Sequence, residues 1–170
     1  MKHIYPILAR YLISALLALN NLAVFYLIFT PLTIYPVYFI LSLFFPVEII
    51  GKNLLINDYS IELIDACIAG SAYYLLTILN LATPMKFKTR IYSLIFSFSL
   101  FLLINVLRIS FFSYLFISGF SLFNLFHLIF WYALSILFVV GIWLLTIKLF
   151  KINKIPVYTD FFSIEKLLRI

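Results

Sequence analysis

The chain is 170 residues long, with 66% hydrophobic residues, 20% aromatics and 11% charged residues, and its mean hydropathy is +1.19. Such a composition excludes a water-soluble globular domain and describes a protein that lives in a lipid bilayer. The net charge of +6 collects at the ends of apolar runs rather than along a stripe, so it reads as a topology signal and excludes a nucleic-acid surface.

About 20 helical residues cross a hydrocarbon core roughly 30 Å thick. The first apolar run, residues 7–29, meets that length. The second, residues 32–45, is short, carries Pro36 and is followed by Pro46; it spans only by sharing residues with its neighbour or thinning the bilayer. Next comes a segment that reads as strand, with 47–50, 53–56 and 60–63 separated by turn signals at Gly51-Lys52 and Asn57-Asp58. Three further runs, 64–83, 91–117 and 125–149, are long enough to span. The expected fold class is an all-α polytopic membrane protein of about five transmembrane helices, with a small external β-hairpin before the helix that carries Cys67. Repeats and low-complexity linkers are absent, so residues 1–170 form a single integral membrane domain.

Lysines and arginines set the orientation, because short cytoplasmic loops carry an excess of them. Lys86, Lys88 and Arg90 form one cluster and Lys148, Lys151 and Lys154 another; both are expected inside, and the two spans between them give matching parity. The loop 118–124 is then outside. So is the segment 47–63, which holds Glu48, Asp58 and Glu62. Two spans before residue 47 would put Lys2 and Arg10 outside, against the rule. Either the N-terminus is external, or the proline-containing stretch is non-spanning or re-entrant; five spans is the expected number. A cleaved signal peptide is not expected, since no clear small-residue cleavage site precedes a soluble mature chain.

Three costly residues interrupt this apolar background. Cys67 is the only cysteine, which precludes an internal disulfide, and the two histidines are too few and too scattered for a metal site. No metal and no cofactor are expected. Arg108 lies about 25 Å along its helix from the cytoplasmic end at Ile91, at about 1.5 Å per residue. That is the outer part of the membrane. Cys67 is within a turn of the outer end of its span, and His127 is in the first turn of the last one. Three helices thus deliver a thiol, a guanidinium and an imidazole to one external level, and these are the parts of covalent acyl-transfer chemistry. Taken singly, a membrane cysteine is usually a packing residue and a histidine near a helix end an interfacial one. An arginine inside a span costs at least ~2.5 kcal/mol unless paired or hydrated, and is functional by default. Asn105 and Asn124 each precede a charged neighbour, Arg108 and His127, by three residues and share its helix face; they are candidate orienting partners. Small residues at Ala69, Gly70, Ser71 and Ala72 allow another backbone to approach closely.

A β-like outer segment runs into Asp65-Ala66-Cys67. It is followed by Asn105-Val106-Leu107-Arg108 in the next helix and by His127 opening the last one. This order resembles the exosortase/archaeosortase family of membrane transpeptidases, over about 47–149. Where that family commonly has Cys-Ser-Gly, this chain has Cys67-Ile68-Ala69-Gly70, the glycine displaced by one, as in a divergent, short archaeal-type member. The resemblance implies a catalytic part at about 47–149 with a basic cytoplasmic tail at 150–170. It also implies a cysteine transpeptidase or thiol protease that acts in protein sorting and surface-protein anchoring. Its partners would be surface proteins with a C-terminal motif, a transmembrane helix and a basic cluster, and its acceptor a membrane lipid. Cys67 would be the nucleophile, His127 the general acid and base, and Arg108 the donor to the oxyanion or the holder of substrate, with Asn105, Asn124 and Asp65 in support. Two other readings stay open: an intramembrane thiol protease without transfer, and a non-enzymatic small transporter or assembly subunit in which Arg108 binds an anion.

Overall fold

The structure is a computed structural model that describes residues 4–130 and 135–152. Lys2, His3, residues 131–134 of the expected last span, and the expected tail from residue 153 on, Lys154 included, lie outside the described residues. In chain order the elements are α1 (Ile4–Ser42), β1 (Val47–Ile50), β2 (Asn53–Ile56), β3 (Tyr59–Glu62), α2 (Asp65–Ile68), α3 (Gly70–Leu81), α4 (Phe87–Ile117), α5 (Phe123–Ile129) and α6 (Ser135–Leu149). The fold is therefore mostly helical with one small sheet. Two stretches, Ile7–Ser42 and Phe87–Ile117, are long and apolar enough to cross a membrane, and Asp65–Leu81 and Ser135–Leu149 are shorter apolar helices. Large apolar side chains such as Leu27, Phe39, Phe87 and Ile136 stand exposed along α1, α4 and α6, as lipid-facing surfaces require.

The start of the chain departs from expectation. The stretch Ile4–Ser42 is two helical segments joined across a kink at Leu19–Leu22, so the division falls earlier than the expected one between 7–29 and 32–45. Asn20, Asn21 and Leu22 adopt left-handed backbone with φ of 54°, 53° and 60°. Asparagine is among the few residues with a side chain that visit this region readily, so the helix breaks at the asparagine pair. Pro31 and Pro36 stay inside the helix, as prolines in apolar helices can.

The two ends of α1 sit at opposite ends of the bundle. Arg10 Nη1 donates to the Leu81 carbonyl at the end of α3, at 3.2 Å. Arg90, in the first turn of α4, donates to the carbonyls of Asn80 and Leu81 at 3.1 Å each and of Thr83 at 3.0 Å. Two guanidinium groups thus satisfy the carbonyls that a helix C-terminus leaves unpaired, and they define a basic end. Beyond Ser42, Phe44 and Phe45 pack on Tyr114 near the far end of α4, with ring centroids 5.8 and 5.7 Å apart. That is the sheet end.

The sheet is a three-stranded antiparallel meander in the order β1-β2-β3, with Val47 opposite Ile56 and Ile56 opposite Tyr59. Its third strand begins one residue earlier than expected. Gly51 turns the first corner at φ +65° and Asn57 the second at φ 53°. Leu54 and Ile56 are fully buried, so this face of β2 packs on the helices. Glu48, Ser60 and Glu62, on the other face, are exposed.

In the core, the rings of Phe29 and Tyr73 stack 3.5 Å apart, and Phe98 and Phe101 meet Tyr73 edge-on at 5.5 and 4.9 Å, which joins α1, α3 and α4. Towards the basic end the buried polar side chains pair across helices. Asn80 Nδ2 donates to Ser93 Oγ at 2.6 Å, and the Ser97 and Thr146 hydroxyls lie 2.9 Å apart. Such pairs hold apolar helices together.

Candidate active site

The expected single span 64–83 is two helices, and the division is what presents Cys67. Ala69 takes the left-handed conformation, φ 59°, and separates α2 from α3. Gly70 follows, and a Cβ there would stand 2.7 Å from Tyr26 Cζ, so any larger residue would force the Tyr26 ring to shift. The Cys67 N–H donates to the Ile64 carbonyl at 2.8 Å. With the ladder interrupted at Ala69, the Cys67 carbonyl turns instead to α4, where it accepts from Asn105 Nδ2 at 2.9 Å. Asn105 is only 2% exposed. It therefore holds the main chain of Cys67, a correction to the expectation that it orients Arg108.

Arg108 is anchored from another helix: its Nη1 donates to Ser135 Oγ at 2.9 Å, and that hydroxyl donates on to the Phe130 carbonyl at 3.3 Å. Its charge acts on both Cys67 and His127. His127 belongs to the short helix α5 rather than to the described part of α6. Its ring stacks on Phe123 with centroids 5.3 Å apart and meets Phe112 edge-on at 5.5 Å. The imidazole is thus wedged between two aromatic rings.

Cys67, Arg108 and His127 line a single cavity of about 320 Å³. Ser60 to Ile64, from β3 and the chain after it, form one wall. Ile109, Phe112, Phe116, Phe123 and Phe130 make another that is almost wholly apolar. One face of α4 supports every part of this arrangement at successive turns: Asn105 on the Cys67 backbone, Arg108 itself, Phe112 on the His127 ring, and Phe116 on Tyr59 of β3 with centroids 5.5 Å apart.

Two of the expected supporting residues stand elsewhere. Asn124 is exposed and is not part of the cavity wall. Asp65 is also outside it and accepts from Lys52 Nζ at 2.7 Å, an exposed ion pair that ties the β1–β2 turn to α2. Lys52, Ser135, Glu62 and the aromatic wall were not singled out by the sequence. A hint existed for Ser135, a hydroxyl next to the uniformly apolar run 136–140. Among the described residues, no group of three His, Cys, Asp or Glu side chains could hold a metal ion. No protein-family model, curated protein or solved structure matches this chain.

Proposed function

We propose that this protein is a membrane-embedded cysteine transpeptidase that cleaves a C-terminal sorting tail from surface proteins at the external face of the membrane and transfers them to a lipid amine. The observation that supports this reading is the cavity at the sheet end, whose wall carries Cys67, Arg108 and His127 together. They come from three different helices, α2, α4 and α5.

The chemistry follows from the side chains. His127 takes the Cys67 proton, and the sulfur attacks the scissile carbonyl carbon, so that a C–S bond forms and the carbonyl π pair moves onto oxygen. Arg108 donates N–H groups to that oxyanion; a guanidinium has five such donors and Ser135 takes one. Collapse breaks the C–N bond, and the leaving amine receives the proton from His127. The resulting thioester is attacked by the acceptor amine, whose proton passes to His127 and back to the expelled thiolate. Water in the acceptor's place would give plain hydrolysis.

The membrane arrangement that accords with this reading has four crossings. α1 leaves the cytoplasm, α2 with α3 returns, α4 leaves again and α6 returns. Arg10 and Arg90 share the Leu81 carbonyl, so the N-terminus falls on the side of the 86–90 basic cluster, in accord with the positive-inside rule. The transporter reading calls for a polar path through the bundle. At the basic end Asn80 Nδ2 instead donates to Ser93 and the Ser97 hydroxyl pairs with Thr146, contacts that tie helices together.

The test is replacement of Cys67 by Ala in the native host, followed by mass spectrometry of the C-termini of its surface proteins. The expected result is retention of an apolar C-terminal helix that the unaltered strain removes, and a lipid-sized mass on the new C-terminus in the unaltered strain. Normal tail removal by Cys67→Ala would defeat the proposal; a free carboxylate at the cut would replace transfer with proteolysis.

A further inference from the structure

β3 is an edge strand, because the sheet order is β1-β2-β3. The other edge, β1, is approached by α1. In an antiparallel pair, successive residues point their backbone groups alternately at the partner and away from it. The two-residue turn at Asn57-Asp58 closes on the pair Ile56↔Tyr59, and Leu63 N–H donates to the Lys52 carbonyl at 2.9 Å. These fix the phase: Tyr59, Ile61 and Leu63 address β2, while Ser60 and Glu62 present N–H and C=O at the open edge. Proteins normally blunt such an edge with proline, lysine or a covering element. Here Ser60 to Ile64 instead form a wall of the cavity that holds Cys67, and the chain runs from that wall into α2.

We infer that the open edge of β3 is the docking rail for the substrate, an extended polypeptide segment that adds as a fourth strand by pairing with the backbone of Ser60 and Glu62. The inference rests on the proposed function and deepens it by specifying how substrate is held. Main-chain pairing supplies binding without regard to sequence, and alternate side chains of the added strand supply selectivity. Because side chains alternate across a strand, one residue of the segment turns into the aromatic wall of Phe112, Phe116, Phe123 and Phe130, which suits an apolar side chain. The rail ends five residues before Cys67, so a segment seated on it carries a peptide carbonyl to the thiol.

The test measures alkylation of Cys67 in the full chain in lipid nanodiscs, a readout that needs no turnover. The probes are acetyl-Leu-Ala-Leu-Ala chloromethyl ketone, two analogues N-methylated on one or the other alternate set of amides, an octyl chloromethyl ketone, and chloroacetone. The peptide reagent is expected to react at least about tenfold faster than chloroacetone, the gain that two extra hydrogen bonds supply. One N-methylated analogue should lose the gain and the other keep it. Glu62→Pro removes an edge donor without touching the β2 pairing and also a carboxylate from the cavity wall, so its readout is the ratio of the peptide rate to the chloroacetone rate on the same protein, which should fall from at least about tenfold to about one. Equal rates for all peptide reagents, or an octyl reagent as fast as the peptide, would overturn the rail. If Glu62→Pro does not fold, the comparison of N-methylated reagents on the unaltered chain still decides. Peptide-selective alkylation together with normal tail removal by Cys67→Ala would sink the catalytic reading and leave the rail standing.

Discussion

At the scale of single residues, the side chains that hold the cavity in place are distinct from the three proposed to react. Asn105 and Ser135 do the holding: one fixes the Cys67 backbone and the other an arm of Arg108. Removing the Asn105 amide leaves the Cys67 carbonyl unpaired, a loss on the order of 1–3 kcal/mol. Arg108 differs from a generic charge in that its planar fork can donate to Ser135 and still keep further N–H donors, whereas lysine offers a compact point charge on a flexible stem. Arg108→Lys is therefore expected to insert and fold yet remove tails about a hundredfold more slowly, in the range found for loss of an oxyanion donor. Near-normal rates, read by the tail assay in membranes containing equal amounts of each protein, would reduce Arg108 to a packing residue.

At the scale of elements, the close contact of α1 with the α2–α3 junction is the most sensitive joint. A methyl at Gly70 would collide with the Tyr26 ring, 2.7 Å from Cζ. Gly70→Ala is expected to cost about 1–3 kcal/mol, as overpacking does. It should lower the thermal midpoint in detergent, with much of the loss recovered when Tyr26→Ala opens the space. A Gly70→Ala protein as stable as its parent would show that α1 gives way freely. The same joint explains what the sequence could and could not tell. Arg108 and His127 were legible because each is expensive in an apolar run, Cys67 because it is the only cysteine, and the strands because short apolar runs alternate with turn pairs. The division of 64–83 at Ala69 was not, since alanine is a strong helix former and only tertiary contact holds it left-handed. With that break unseen, Asn105 read naturally as a neighbour of Arg108 on the same face. The break in α1 was misplaced for a related reason: Pro36 is a louder signal than the pair Asn20-Asn21, yet Pro36 stays inside the helix and the kink falls at the asparagines.

At the scale of the whole molecule, the proposed four-crossing arrangement would put Arg10 on the side of the 86–90 basic cluster, as the positive-inside rule asks, where five crossings would not. Tags on the N-terminus and on the C-terminus are both expected to resist protease in intact cells and to be cut once the membrane is opened, and an impermeant thiol reagent is expected to label Cys67 from outside. An N-terminal tag cut in intact cells would return the chain to five crossings. Finally, because one stripe of α4 touches the Cys67 backbone, Ser135, the His127 ring and the sheet, the candidate site depends on the rotational phase of that helix. Lipid-facing positions such as Leu103, Leu107 and Phe111 are free to exchange one apolar side chain for another. The helix's length upstream of Asn105 is not free to drift by one residue, since that would turn the stripe by about 100° and part all four contacts in a single event.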